Sequence, residues 1–229
     1  MVNWEDIDTV LLDMDGTLLD LHFDNHFWQH HLPKRYAHIH QKDEQFSREH
    51  IHKLTQRIHG TLDWYCLDYW TQQLNLDIPA LKREIQHMIS IRPYVVEFLK
   101  QLKDNGKHII LVTNAHRQSL QIKMDTTGLA RLFDEIVVSH DFQAAKEQPE
   151  FWRQMQISHP FNPDKTLLID DTASVLQSAH QFGIRYLLTL LQPDSQKPVR
   201  KLTEFPGILH FDEIMPAGKK SDRAPGGVQ

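Results

Sequence analysis

Five short apolar segments, separated by longer stretches with helical periodicity, constrain most strongly what this chain can fold into. Each is rich in valine, isoleucine and leucine and does not alternate with polar residues, which is typical of strands buried on both faces of a parallel sheet. The segments are residues 9–12, 108–112, 136–138, 166–169 and 184–190. The sequence therefore predicts a parallel sheet built from these segments.

Apolar residues recur at helical spacing between the predicted strands. One set is Val95, Phe98, Leu99 and Leu102, and another is Val175, Leu176, Ala179 and Phe182. Gly106 and Gly183 follow the two sets and are suited to end a helix. Strands that alternate with helices indicate a doubly wound α/β domain, and such sheets bind ligands at the carboxyl ends of their strands.

Residues 21–90 interrupt this alternation. The segment is polar and rich in histidine, glutamine and aromatic residues, and its sequence contains no strand-like run. We expect a small all-helical cap, inserted after the first strand and folded over the strand ends. The predicted core domain then comprises residues 1–20 and 91–216, and residues 217–229 have the composition of a disordered tail.

Charge and cysteine content argue against several classes of function. The 229-residue chain has a formal net charge of -5, so no global basic field attracts nucleic acid. Cys66 is the single cysteine, which excludes an internal disulfide and favours a reducing compartment. The N-terminus does not resemble a secretory signal, and no apolar run approaches the roughly 20 residues of a membrane helix. We therefore expect a cytoplasmic protein without a membrane or nucleic-acid partner.

The first apolar segment runs directly into Asp13-Met14-Asp15-Gly16-Thr17. Gly16 permits a turn that can bring both carboxylates to one site. Because a phosphate dianion would be repelled by such a pair, a divalent cation with oxygen ligands is needed to hold them together. Asp-Gly alone would indicate an ordinary turn. The longer pattern favours a nucleophile, a general acid/base and a metal site.

Polar residues follow the later segments in a similar way. Thr113 and Asn114 come after the second segment, where a hydroxyl and the N–H groups of the next helix suit a phosphate oxygen. Lys146 lies beyond the third and can neutralise charge on a phosphoryl group and a nucleophile. Asp170 and Asp171 follow the fourth, and paired carboxylates suit a hard cation. The shared position after core strands predicts one combined site.

In this order, the motifs resemble those of the haloacid dehalogenase superfamily, over residues 9–190. The resemblance implies a Rossmann-like core and a phosphatase that works through an aspartyl-phosphate. Asp13 would be the nucleophile, and Asp15 would protonate the leaving alcohol and later activate water. The residues implied for phosphate binding are Thr113, Asn114 and Lys146, and those implied for Mg²⁺ are Asp13, the Asp15 backbone carbonyl, Asp171 and the adjacent Asp170.

Longer stretches resemble the bacterial GMP/IMP 5′-nucleotidase branch of this superfamily. They are residues 10–20, 23–25, 27–28, 64–70 and 182–186. This resemblance implies hydrolysis of purine nucleoside monophosphates to nucleoside and phosphate. One departure is that alanine precedes Lys146, where family members usually have glycine or proline. We therefore expect the loop that holds this lysine to differ in shape.

Substrate choice is expected to lie in the cap, because the core motifs contact mainly phosphate. Purine rings stack on aromatic side chains, and polar groups just past the catalytic loop lie at the seam of core and cap. The candidates are Asp24, Asn25, Trp28, Tyr65 and Tyr69. Histidine pairs such as His26/His30 and His38/His40 have spacings that can chelate a transition metal, but solvated helix faces are the favoured interpretation.

Two other functions stay open on these residues. A phosphatase or phosphotransferase for a sugar phosphate or another small phosphorylated metabolite would share every core motif. A non-catalytic binding protein that keeps the fold is the less favoured alternative, since all the motif residues are present. Neither the preferred phosphate ester nor the oligomeric state follows from the sequence.

Overall fold

A single sheet forms the centre of the computed structural model, which describes residues 2–201 and 203–217. Its strands are β1 Thr9–Leu12, β2 His108–Thr113, β3 Glu135–Val138, β4 Thr166–Ile169, β5 Tyr186–Leu190 and β6 Gly207–Ile208. Their order in the sheet is β3-β2-β1-β4-β5-β6, and each neighbouring pair is parallel. The predicted α/β fold is confirmed. The predicted tail lies outside the described residues, apart from residue 217.

Sequence reasoning missed β6 and misplaced three strand boundaries, those at the end of β2 and at the starts of β3 and β5, by one or two residues. With only two residues, β6 is too short to produce a recognisable period. The apolar run that begins at residue 184 starts two positions before β5. Short 3₁₀ turns lie at Trp4–Asp6, Gln86–Met88, Leu129–Leu132, Ser139–Phe142, Pro163–Lys165 and Phe211–Ile214.

Helices cover both faces of the sheet. Consecutive strand residues point to opposite faces, and accordingly Val10 and Leu12 belong to one buried apolar cluster while Leu11 belongs to another. The helices are α7 Val95–Asp104 and α8 Arg117–Thr127 on the first face, and α9 Pro149–Ser158 and α10 Ala173–Phe182 on the second. Because both faces are covered, the strands need no polar alternation.

The segment between residues 21 and 90 is helical. It contains α1 His22–His26, α2 Leu32–His40, α3 Glu44–Ile58, α4 Leu62–Tyr65, α5 Leu67–Leu74 and α6 Ile78–Glu84, with a π-helical turn at Phe27–His31. Its buried Phe23, Phe27 and Trp70 join the apolar cluster that also covers the first face of the sheet. The helical segment therefore packs directly against the core. None of the described helices has the length and apolar character needed to cross a membrane.

The chain leaves and re-enters the core at adjacent points. The Asp20 N–H donates to the Ser90 carbonyl over 3.0 Å, and Leu19 pairs with Ile91 in an antiparallel bridge. We propose that these crossings mark the boundary between the core domain and a cap formed by residues 21–90.

Candidate active site

The candidate site lies where β1, β2 and β4 end, and these three strands are neighbours in the sheet. A cavity of about 650 Å³ opens there, between the strand ends and the helical segment. The residues in its wall that the sequence motifs predicted are Asp13, Asp15, Thr113, Asn114, Lys146, Asp170 and Asp171. Groups that are up to 158 residues apart in the chain therefore share one cavity.

Three carboxylates form a tight cluster in this cavity. Asp13, Asp170 and Asp171 each contribute an oxygen, and the three oxygens lie within 4.8 Å of one another. Burial raises the pKa of Asp13 to about 6, against the opposing charge of Lys146. Burial, together with the charges of Asp170 and Asp13, raises the pKa of Asp171 well above its usual value. The cluster is therefore short of positive charge.

The donor set fits Mg²⁺, a hard cation that takes oxygen ligands. Within the described residues, Asp13, Asp170 and Asp171 are the only group of three or more possible ligands, so the histidine pairs of the cap form no comparable cluster. Gly16 supports this arrangement, because its φ of +83° is in the left-handed region. A Cβ at Gly16 would lie 2.7 Å from Asp171 Cγ, so a side chain there would displace the carboxylate.

Lys146 provides the positive charge beside the nucleophile candidate. Its Nζ donates to Asp13 Oδ1 over 2.5 Å, to Asp170 Oδ2 over 2.7 Å and to the Val112 carbonyl over 3.1 Å. Burial alone would lower the pKa of Lys146, but the charges of Asp13 and Asp170 outweigh it and raise the pKa. The lysine is therefore charged, and it fixes one oxygen of Asp13.

The loop around Lys146 is held from two sides. The Asn114 side chain accepts from the Lys146 N–H over 2.9 Å and donates to Glu147 over 2.9 Å. The Trp152 indole donates to the Lys146 carbonyl over 2.8 Å. The preceding Ala145 is fully buried. The side-chain amide of Asn114 therefore positions Lys146. Phosphate binding by Asn114 would have to use its backbone N–H, and it stays a prediction.

Thr113 is buried at the end of β2 and lines the same cavity. Thr113 Oγ1 accepts from the Ala115 N–H over 3.0 Å. A hydroxyl that accepts one bond still has its own hydrogen to donate. The hydroxyl is therefore available to donate to an anionic oxygen in the cavity.

Asp15 and the cap candidate Asp24 share a partner that the motifs did not identify. Lys123 Nζ donates to Asp15 Oδ1 and to Asp24 Oδ2, each over 2.6 Å. Lys82 donates to the other oxygen of Asp24 over 2.7 Å. Both Asp24 oxygens are thus bound within the protein, although Asp24 lines the cavity, and its role in substrate choice stays a prediction. Burial raises the pKa of Asp15 to about 6, although the charge of Lys123 opposes it.

Two of the three aromatic candidates in the cap line the cavity. Trp28 and Tyr65 do, whereas Tyr69 does not. The Tyr69 ring instead packs edge-on against buried Trp70, so the cavity gives no support to Tyr69 as a specificity residue, and that assignment stays a prediction. Trp64 also lines the cavity, with its ring stacked near Trp28 at a centroid distance of 6.3 Å.

The polar cap candidates bridge the helical segment to the core. Asn25 lines the cavity, and its amide donates to Asp194 over 2.7 Å. The Tyr65 hydroxyl donates to Glu147, directly after Lys146, over 2.7 Å. Cavity residues that sequence reasoning missed as site candidates include His59, Lys82, His116, Glu147 and Ser174. None carries a motif of its own. His116, Glu147 and Ser174 lie within three residues of the core motif residues, whereas His59 and Lys82 reach the cavity only through the packing of cap against core.

Comparisons with known proteins agree with this geometry. The family model for haloacid dehalogenase-like hydrolases matches residues 10–189. The GMP/IMP nucleotidase YrfG of Escherichia coli strain K12 is 39% identical over 216 residues, which cover 94% of this chain and 97% of that protein. Pyrophosphatase PpaX of Bacillus pumilus is 27% identical, over 80% and 83% of the two chains. A solved HAD phosphatase from Thermococcus onnurineus has a TM-score of 0.75 at 19% identity, over 90% and 95% of the two chains.

The chain belongs to the haloacid dehalogenase-like hydrolases. The predicted membership and the predicted resemblance to the GMP/IMP nucleotidase branch are both confirmed. The protein is accordingly an enzyme of the phosphoric monoester hydrolase class. The likeness to the solved structure, at 19% identity, shows the fold alone.

Proposed function

We propose that the protein hydrolyses purine nucleoside monophosphates such as GMP and IMP, through an aspartyl-phosphate formed on Asp13. One observation carries the proposal: Asp13, Lys146 and Asp171 meet in a cavity that cap aromatics also line. The 39% identity to a protein named GMP/IMP nucleotidase supports the substrate class.

The first step is attack of the Asp13 carboxylate on phosphorus. Lys146 holds Asp13 Oδ1, which leaves Oδ2 as the attacking oxygen. The Lys146 ammonium and the Thr113 hydroxyl stabilise negative charge on the phosphoryl oxygens. A covalent intermediate divides one very difficult hydrolysis into two easier steps.

Mg²⁺ is the proposed cofactor. Asp13, Asp170 and Asp171 would hold it together with the Asp15 backbone carbonyl. When bound, the ion supplies positive charge that allows an anionic carboxylate to approach a phosphate dianion. Gly16 keeps the space beside the Asp171 carboxylate free of a side chain.

Asp15 carries the proton in both steps. It gives its proton to the ester oxygen as the P–O bond breaks, so the nucleoside leaves as an alcohol. The resulting carboxylate then takes a proton from the water that attacks phosphorus, which releases phosphate and restores Asp13. A pKa of about 6 suits a group that donates and accepts a proton near neutral pH.

The cap supplies the contacts for the nucleoside. Trp28 and Trp64 line the cavity and offer indole faces, on which purines stack well. We assign the base to these two rings, because the groups at the strand ends are committed to phosphate and metal.

A substrate screen in the presence of Mg²⁺ tests this proposal. GMP and IMP should be hydrolysed with a kcat/KM at least about tenfold above that for hexose phosphates, a preference of about 1.4 kcal/mol. Asp13→Asn keeps the size of the side chain and should abolish turnover of every substrate. A preference for hexose phosphates would refute the nucleotide assignment, and full activity in Asp13→Asn would refute the mechanism.

A further inference from the structure

Three charged side chains at the seam of cap and core have no part in the steps above. Lys82 and Lys123 are buried, with 2% and 1% exposure, and the Asp24 side chain is 16% exposed. Lysines are almost never fully buried unless they are paired, because desolvation of the ammonium is costly. Their burial beside the cavity therefore needs an explanation.

These side chains form a continuous chain of ion pairs that ends at Asp15. Lys123, on α8 of the core, contacts Asp15 and Asp24 over 2.6 Å each. Lys82, on α6, contacts Asp24 of α1 over 2.7 Å. Two ammonium groups thus face two carboxylates, and the arrangement joins the general acid of the core to two helices of the cap.

The surroundings hold Lys123 in place. The centroid of the Phe23 ring lies 5.5 Å from Lys123 Nζ and 5.1 Å from Lys82 Nζ. The centroid of the Phe27 ring lies 4.8 Å from Lys82 Nζ. Burial alone would raise the pKa of Asp24, but the two lysines outweigh it and lower the pKa, so Asp24 is ionised. A charged, enclosed lysine has few alternative partners and therefore few alternative positions.

We propose that Lys123 is a positioning residue, which orients the Asp15 carboxyl for proton transfer and is itself fixed by Asp24 of the cap. The inference rests on the proposed role of Asp15 as general acid. Lys123 binds Asp15 Oδ1 and leaves Oδ2 to face the leaving group. Proton transfer requires hydrogen-bond reach of about 2.6–3.2 Å, which a freely rotating carboxyl would seldom hold.

A structural ion pair alone does not account for this arrangement. Lys82 and Asp24 already balance each other's charge across the cap. Lys123 adds a second buried ammonium whose other contact is the carboxylate of a catalytic residue. The two lysines therefore differ in one respect that an experiment can isolate, namely contact with Asp15.

The test uses substituted phenyl phosphates of similar size, whose phenols differ in pKa. Dependence of kcat/KM on the leaving-group pKa reports how well the departing oxygen is protonated. In Lys123→Met, the loss should be at least about tenfold greater for phenyl phosphate than for p-nitrophenyl phosphate, within the ~10²–10⁴ that proton transfer contributes. Lys82→Met is the matched control, since it removes an equally buried ammonium from the same network but leaves the contact of Lys123 with Asp15. Lys82→Met should lower kcat/KM for all the substrates by one common factor.

Equal losses across the series in Lys123→Met would overturn the inference and leave a structural role. Lys123→Gln provides a second neutral variant with the same expected dependence, in case the methionine variant does not fold. Asp15→Asn, for which the rate of phenol release in the first turnover is measured, separates this inference from the proposed function. If Asp15→Asn fails to steepen the dependence, the general-acid assignment itself is wrong. If Asp15→Asn steepens it and neither Lys123 variant does, only the inference about Lys123 is wrong.

Discussion

Asp13→Asn should stabilise the metal-free protein at neutral and alkaline pH, although it removes the nucleophile. Burial raises the pKa of Asp13 from 3.8 to about 6, so the ionised side chain costs free energy in the folded state. At 1.36 kcal/mol for each pKa unit, this difference corresponds to about 3 kcal/mol. Asparagine resembles the protonated carboxyl and does not ionise, so the variant avoids that cost.

The gain in stability of Asp13→Asn over the wild type should increase with pH. A carboxyl with a raised folded pKa binds its proton more tightly in the folded protein, and its favourable contribution is complete below the unfolded pKa of 3.8. That contribution is lost as pH rises through about 6. The stability difference between Asp13→Asn and the wild type should therefore be near zero at about pH 4 and reach about 3 kcal/mol at about pH 8.

Urea denaturation in the presence of a chelator measures this difference across the pH range. Asp8→Asn is a suitable control, because Asp8 is exposed and its surface pair with Lys165 over 3.1 Å should contribute little. A variant less stable than the wild type at about pH 8 would refute the reasoning. So would a gain of constant size at every pH, because ionisation of Asp13 would then not be its cause.

Three further substitutions test separate parts of the structure. Gly16→Ala should weaken Mg²⁺ binding, measured by calorimetry, by about tenfold or more. The alanine Cβ would lie 2.7 Å from Asp171 Cγ, so an unchanged affinity would contradict this prediction. Arg92→Met should lower the free energy of unfolding by about 3 kcal/mol, because the buried guanidinium donates to three backbone carbonyls. A loss below about 1 kcal/mol would show that water replaces the guanidinium as the donor to these carbonyls. Tyr65→Phe should cost about 1.5 kcal/mol in urea denaturation through the lost bond to Glu147, and no cost would mean that the bond does not form in solution.

The sheet and the centre of the site were predictable because their signals are local. Each central strand is a short apolar run, and Asp13 and Asp170 directly follow the runs that form β1 and β4. Parallel neighbours place their carboxyl ends side by side, so residues far apart in sequence had to meet if the order of strands was right. The turn after β1 was also predictable, because the backbone at position 16 has a left-handed φ, which favours the glycine found there.

The roles of the seam residues could not be predicted, because they depend on how cap and core pack. Lys82 and Lys123 lie on amphipathic helices, where a lysine is usually solvated. Nothing in the neighbouring residues distinguishes them from exposed lysines. Asp24 was correctly placed near the cavity, but its direction toward the two lysines follows only from the packing of α1 against α6 and α8.

The most direct test of the account is a search for the phosphoryl group on Asp13. Asp15→Asn with p-nitrophenyl phosphate and Mg²⁺ should complete the first step, because p-nitrophenolate leaves without an acid, and then stall for lack of a base. Acid quenching and mass spectrometry should show one phosphoryl group per chain, on the peptide that contains Asp13. Release of p-nitrophenol from a protein that stays unmodified, or a phosphoryl group on another peptide, would contradict the mechanism.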